Sequence, residues 1–292
     1  MYRAILVIFV YFFTGCTSPK EPNISQAEEL PSWVNNPPEL HAVGSSGVNF
    51  QGIYTQHLEA INKAKGDLAH NIKSYITSEF EMESKSTKKS SSTKVYDKVN
   101  AFSELFLNES YQVDAYIDSK KRLYVLMGSS KERISNLLGI KAQNSSNIAL
   151  TALKTEPFLK EILMQSRCYS KDILKGIDTE SRLYQNKPVW FFRPNYNGVV
   201  GSVGIAEKEE GVTFLKQKSA AFALAKSALA KRVQSQIASE HEALKITYND
   251  TSGKIFESSL IIRSEMRLDG VVQRDLWLDP KSCELYIWAV KK

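Results

Sequence analysis

Apolar and polar residues alternate along the chain with three different rhythms. The first is continuous: Ala4 to Phe13 is an unbroken apolar run that stops just before Cys16. The second is helical. Leu58, Ile61, Ala64, Leu68, Ile72, Tyr75 and Ile76 fall three and four apart, which predicts a helix with one buried stripe. Ala221, Leu224, Ala225, Leu229, Val233 and Ile237 repeat that pattern with more alanine. The third rhythm has a period of two. The segments SYQVDAYID with RLYVLM, and IFESSLIIRSEMRL with VVQRDLWLD and ELYIWAV, read as strands. Asp118 and Asp279 open the turns between consecutive strands. Polar loops, ESKSTKKSSST and LKITYNDTSGK, follow the two helices.

These rhythms occur twice because the sequence repeats. Pro31, Trp33, Val43, Gly44, Ser45 and Gly47 recur 157 positions later as Pro188, Trp190, Val200, Gly201, Ser202 and Gly204. At an offset of 161, Ala60, Ala64, Lys65, Leu68, Ala69, Ser74 and Ile76 meet Ala221, Ala225, Lys226, Leu229, Ala230, Ser235 and Ile237. Asp114, Tyr116 and Asp118 then face Asp275, Trp277 and Asp279. The expectation is an α+β fold of two tandem two-layer modules, each a strand, a long helix and an antiparallel meander. The modules occupy 31–128 and 188–292. The intervening residues 129–187 read as a mainly helical connection, with Pro157 near one helix start and Gly176 near another's end.

A membrane-crossing helix needs about 20 apolar residues, and the opening run is roughly half that. With Arg3 ahead of it and small residues behind, 1–15 reads as an export signal. Phe13-Thr14-Gly15-Cys16 resembles the lipobox of bacterial lipoproteins. That resemblance implies cleavage before Cys16 and acylation of its thiol and amine. Three acyl chains, at about 0.8 kcal/mol per buried methylene, anchor a protein durably. Residues 16–30 are polar with two prolines and read as a flexible tether. Thr17, rather than Asp, follows the cysteine, which resembles outer-membrane sorting.

The Pro-x-Trp openings, the Val-Gly pairs, the Leu68-Ala69 and Leu229-Ala230 steps and the trailing meanders together resemble the Helicobacter membrane-associated lipoprotein-antigen family. That family is similar to the flagellar outer-membrane lipoprotein FlgP. The resemblance implies an envelope location and a part in an assembly. Most members carry one module, so two modules with a connection depart from the pattern.

Charge adds little. Lysine and arginine number 38 against 32 acids, a net charge of +6, which suits solubility and anionic surfaces without singling out nucleic acid. No nucleic-acid partner is expected for an exported chain. Beyond Cys16 there are Cys168 and Cys283; an oxidising envelope permits a bridge, and spacing alone leaves their pairing open.

No stretch spells out catalysis, and no cofactor or metal is expected. Gly44-Ser-Ser-Gly47 and Gly201-Ser-Val-Gly204 lack the phosphate-loop pattern and read as turns at a strand exit. His241-Glu242 is followed by Lys245 where a zinc motif needs a second histidine. His41, His57 and His70 are scattered over strand, loop and helix. With period two, Asp114, Tyr116 and Asp118 share one strand face, as do Asp275, Trp277 and Asp279. An aromatic held outward between solvated acids suits a partner interface better than catalysis. The chain is therefore expected to be a non-enzymatic outer-membrane lipoprotein with two kinds of partner. One is the bilayer, reached through acylated Cys16; the other is envelope proteins, among them flagellar components or further copies of itself. A surface antigen or adhesion role is the other version, and capture of a sugar or peptide in an aromatic-lined cleft between the modules is the alternative.

Overall fold

A computed structural model describes residues 29–87, 92–139, 148, 150–179, 181–248 and 270–292. It is a mixed α+β structure with three small antiparallel sheets. A single turn, α1 (Ser32–Asn35), leads into β1 (His41–Ser46), the long helix α2 (Gly52–Thr87), α3 (Ser92–Glu109), β2 (Tyr111–Ile117) and β3 (Leu123–Gly128). The connection holds α4 (Lys131–Leu138), β4 (Glu156–Pro157), α5 (Lys160–Met164), α6 (Lys171–Lys175), β5 (Arg182–Tyr184) and β6 (Lys187–Pro188). A second single turn, α7 (Val189–Phe192), precedes β7 (Gly201–Ala206), the long helix α8 (Phe214–Tyr248), β8 (Val271–Leu278) and β9 (Leu285–Lys291).

The first sheet has the order β1-β3-β2 and the third β7-β9-β8, so in each the last strand is central. The long helices pack against these sheets on the stripes that their spacing predicts. Ala60, Ala64, Leu68, Ile72 and Ile76 are fully buried, as are Ala221, Ala225, Leu229 and Val233. Three stripe members depart from this: Ile61 is half-buried, and Leu58 and Leu224 are 39% and 38% exposed. The small residues permit close approach. A Cβ on Gly44 would overlap the Ala60 carbonyl oxygen, and one on Gly204 would overlap that of Ala221. Glycine is therefore required where strand crosses helix.

This contact corrects two expectations. Gly44 and Gly204 are within β1 and β7, not in turns at a strand exit. The glycine that meets the second helix is Gly204 rather than Gly201, because the 3-10 turn Tyr196–Gly198 lengthens the lead from α7 to β7. Glutamine side chains close the same ends of both sheets. Gln56 Nε2 donates to the carbonyls of Ser46 (3.1 Å) and Lys121 (2.8 Å), and Gln217 Nε2 to those of Ala206 and Cys283 (both 2.8 Å). Lys121 and Cys283 both hold positive φ, 63° and 62°.

Three further differences stand out. The segment before β2 forms α3, whose Val99, Phe102 and Phe106 are buried against α2 and α8; the polar loop hid it. The connection is less helical than expected, with helices of 8, 5 and 5 residues beside a small sheet. Pro157 lies in β4 three residues ahead of α5, and Gly176 does cap the end of α6. His57 lies on α2 and is buried, not in a loop. The strand expected around 255–268 lies outside the described residues, as do Cys16, the export signal and nearly all of the tether.

One apolar core joins the halves. Leu68, Phe102 and Val125 cluster with Phe191, Ile205, Trp277 and Tyr286. Gln112 is a polar tie across it: its Oε1 meets His57 Nε2 at 2.7 Å, and its Nε2 donates to the carbonyls of Phe191 and Phe192. Arg133 is another, bonded to Glu109 and to the Gln236 carbonyl (2.9 Å) on α8. Cys168 and Cys283 form a disulfide that pins the connection to the β8–β9 hairpin.

Candidate functional site

The two bulged strands build the candidate site. In β2 the register slips between Gln112 and Asp114, and in β8 between Gln273 and Asp275. An extra residue in one strand breaks the alternation of faces. Each aspartate then accepts a hydrogen bond from the next backbone amide, Ala115 N to Asp114 Oδ1 at 3.0 Å and Leu276 N to Asp275 Oδ1 at 2.8 Å. Their remaining oxygens turn toward the connection.

Asp114 is wholly buried. Arg193, just past α7, donates to both its oxygens, Nε to Oδ1 at 2.9 Å and Nη2 to Oδ2 at 3.1 Å. Thr151 N adds a third bond at 3.1 Å, and Arg193 also reaches the Thr151 carbonyl. Such a two-point, charge-assisted grip fixes the irregular segment that leads into β4. Asp275 accepts from Trp190 Nε1 at 3.0 Å and from Ser181 Oγ. Trp190 in turn stacks on Trp288, centroids 6.2 Å apart and planes 8° from parallel. Trp288 Nε1 donates to the Pro194 carbonyl at 3.0 Å.

Arg193, Thr151, Ser181, Trp190, Asp275 and Trp288 are part of the wall of a cleft of about 770 Å³, within the size range of small-molecule and peptide sites, about 300–1,000 Å³. Trp190 and Trp288 line it together with the half-exposed Tyr196, the exposed Arg274, Arg182 and Thr155. Arg182 Nε donates to Thr155 Oγ1 at 2.8 Å. Arg274, the bulge residue itself, makes no ion pair among the described residues. The cleft thus offers flat rings, an unpaired guanidinium and hydroxyls. That chemistry stacks on and hydrogen-bonds a polar ligand. The Ser181 hydroxyl is occupied as donor to Asp275 and as acceptor from Trp190 Nε1 at 3.0 Å.

The six residues expected on an outward interface do not form one. Asp114 and Trp277 are buried, and neither meets solvent as folded. Trp277 packs on Tyr286 at 5.0 Å, with Lys187 5.3 Å from its ring centre. Tyr116 is half-buried beside Tyr124 of β3. Asp118 and Asp279 shape their hairpins, accepting from Arg122 N at 2.8 Å and from Lys281 N at 2.9 Å. Asp279 also pairs with Lys187 at 2.9 Å. Burial opposes its charge, but Lys187 and the turn amides hold its carboxyl below the usual value. Of the six, only Asp275 lines the cleft.

Arg193, Ser181, Tyr196, Arg274 and Trp288 escaped sequence reasoning. One signal was available: Trp190 matches Trp33, but Arg193 stands where the first copy has Asn36. Among the described residues no cluster of three His, Cys, Asp or Glu side chains is placed to hold a metal ion, and no helix is long and apolar enough to cross a membrane. No family model matches the chain, and no curated protein matches it.

Proposed function

We propose that this protein is a non-enzymatic docking lipoprotein of the bacterial outer membrane, held there by acylated Cys16 and built from a duplicated α+β module. Support for the duplication is the pairing of equivalent parts: two sheets of like order, two helix-contacting glycines, two bulged aspartates and two glutamine clips. The single observation that carries docking is the cleft walled by Trp190, Trp288 and Tyr196 with the unpaired Arg274. A protruding polar segment of an envelope partner fits such a surface, since aromatic and arginine side chains dominate binding hot spots. Attachment to the flagellar motor is the specific version suggested by the resemblance to the lipoprotein-antigen family.

Crosslinked capture from cells tests this with three chains: wild type, Cys16→Ala, and Tyr196→Ala with Arg274→Glu. The expected result is a partner set lost in both variants. An unchanged set in either one rejects that variant's part of the proposal, and an unacylated mature N-terminus by mass spectrometry removes the tether. A second reading, capture of a sugar or short peptide, is favoured by the stacked Trp190–Trp288 pair and the volume of the cleft. Saturable binding of such ligands to the isolated protein, lost on Trp288→Ala, distinguishes it.

A further inference from the structure

A second cavity, about 380 Å³, lies between the two long helices and the edge of the third sheet, away from the cleft described above. Its lining carries Lys65 of α2 and Lys231 and Arg232 of α8, and no aspartate or glutamate. Neither lysine makes an ion pair among the described residues. Burial and the neighbouring charge of Lys231 both disfavour the ammonium of Lys65. Arg232 is only partly partnered, although the nearby charge of Glu109 favours its guanidinium. Its Nη1 donates to Asn195 Oδ1 at 2.7 Å and its guanidinium carbon lies 4.6 Å from the centre of the Tyr111 ring, while its buried Nε has no partner.

A second orphan lines the same cavity. Ser110 is 6% exposed and its buried Oγ has no hydrogen-bond partner. Buried polar atoms are nearly always paired, so a hydroxyl and a guanidinium N–H without partners among the described residues, both on residues that line one cavity, mark a place prepared for an acceptor. The three cations face one space whose lining holds no carboxylate; Glu109, outside the lining, offsets part of the charge of Arg232, and the remaining repulsion favours an entering anion. The apolar part of the wall has its own irregularity. Leu58 and Leu224, the two stripe residues left exposed on the long helices, both line this cavity.

We propose that the cavity between α2 and α8 binds a phosphate monoester carried on an apolar chain. Its oxygens meet Lys65, Lys231, Arg232 Nε and Ser110 Oγ, and its chain lies against Leu58 and Leu224. A dianion answers the three cations better than a carboxylate does, and phosphate supplies the several acceptor oxygens that the two orphan donors lack. The inference stands apart from the docking cleft and does not depend on it.

Calorimetric titration of the full chain in neutral phosphatidylcholine nanodiscs tests it with hexyl phosphate, inorganic phosphate and hexanoate. Hexyl phosphate is expected to saturate one site, inorganic phosphate to bind it more weakly, and hexanoate to bind at least about tenfold more weakly. Lys65→Met is expected to weaken hexyl phosphate about tenfold or more, the loss of one charge-assisted contact. Ser110→Ala is expected to weaken binding while leaving the ligand-free melting temperature unchanged or raised, because it removes an unsatisfied hydroxyl. That opposition is not the signature of a merely structural serine. Phosphatidate added to the disc separates sources: competition with hexyl phosphate assigns the site to a membrane lipid, and its absence to a free phosphate ester. The proposal falls if hexyl phosphate fails to saturate at about ten millimolar, if hexanoate binds equally well, or if both variants bind like wild type.

Discussion

Arg193 and Asp114 are 79 residues apart in sequence and form a two-point ion pair, 2.9 and 3.1 Å, in which the carboxylate is wholly buried. The pair ties the start of the second half to the bulge in the first sheet. Removing one partner strands a charge in the interior. Arg193→Met is expected to lower unfolding free energy by about 3–5 kcal/mol, the cost of an uncompensated buried charge. Urea denaturation measures it, and adding Asp114→Leu to Arg193→Met is expected to recover part of the loss.

Gly44 and Gly204 lie where a strand crosses a helix with no room for a side chain. Alanine at either position must push the helix backbone away, and each variant is expected to lose about 1–3 kcal/mol. Gly47 has open space around its missing Cβ, so Gly47→Ala is expected to stay within about 0.5 kcal/mol of wild type. Thermal melts of the three variants check the contrast.

The Cys168–Cys283 bridge closes a separation of 115 residues. Loops of that size lose considerable entropy when closed, and removal of such a bridge typically costs about 2–5 kcal/mol. Cys283→Ser is expected to show that loss in chemical denaturation. Wild-type protein under reducing conditions is expected to match it.

His57, on α2, faces Phe191 with ring centres 5.1 Å apart, and His41 lies on β1. Burial lowers both from the ordinary 6.5, only partly opposed by the Gln112 bond to His57 and the Glu39 carbonyl bond to His41. The unfolded chain therefore takes up protons first. Stability is complete above pH about 6.5 and falls as pH drops from there toward the folded-state values. His57→Gln is expected to flatten the part of that fall which His57 causes, measured by urea midpoints at several pH values.

The helical faces are legible in the sequence, since Ala64, Leu68 and Ile72, and Ala225, Leu229 and Val233, are buried as their spacing requires. Period two reads Asp114 and Asp275 as solvated, but the bulges at Val113 and Arg274 set both on the sheet face opposite the long helices, and Thr151 and Arg193 cover one while Ser181 and Trp190 cover the other. Nothing in the local residues announces an unpaired position, because a bulge is decided by the partner strand. The same limit hid the cleft, whose Trp190, Asp275 and Trp288 converge from α7, β8 and β9.

The sequence by itself determined the α+β class and the faces of α2 and α8, because period is a local property of a chain. Tertiary structure alone decided that Cys168 meets Cys283, that Arg193 grips Asp114, and that Lys65, Lys231 and Arg232 face one cavity. Those contacts depend on the path of the connection between the halves, along which no residue's spacing states which distant side chain it will reach.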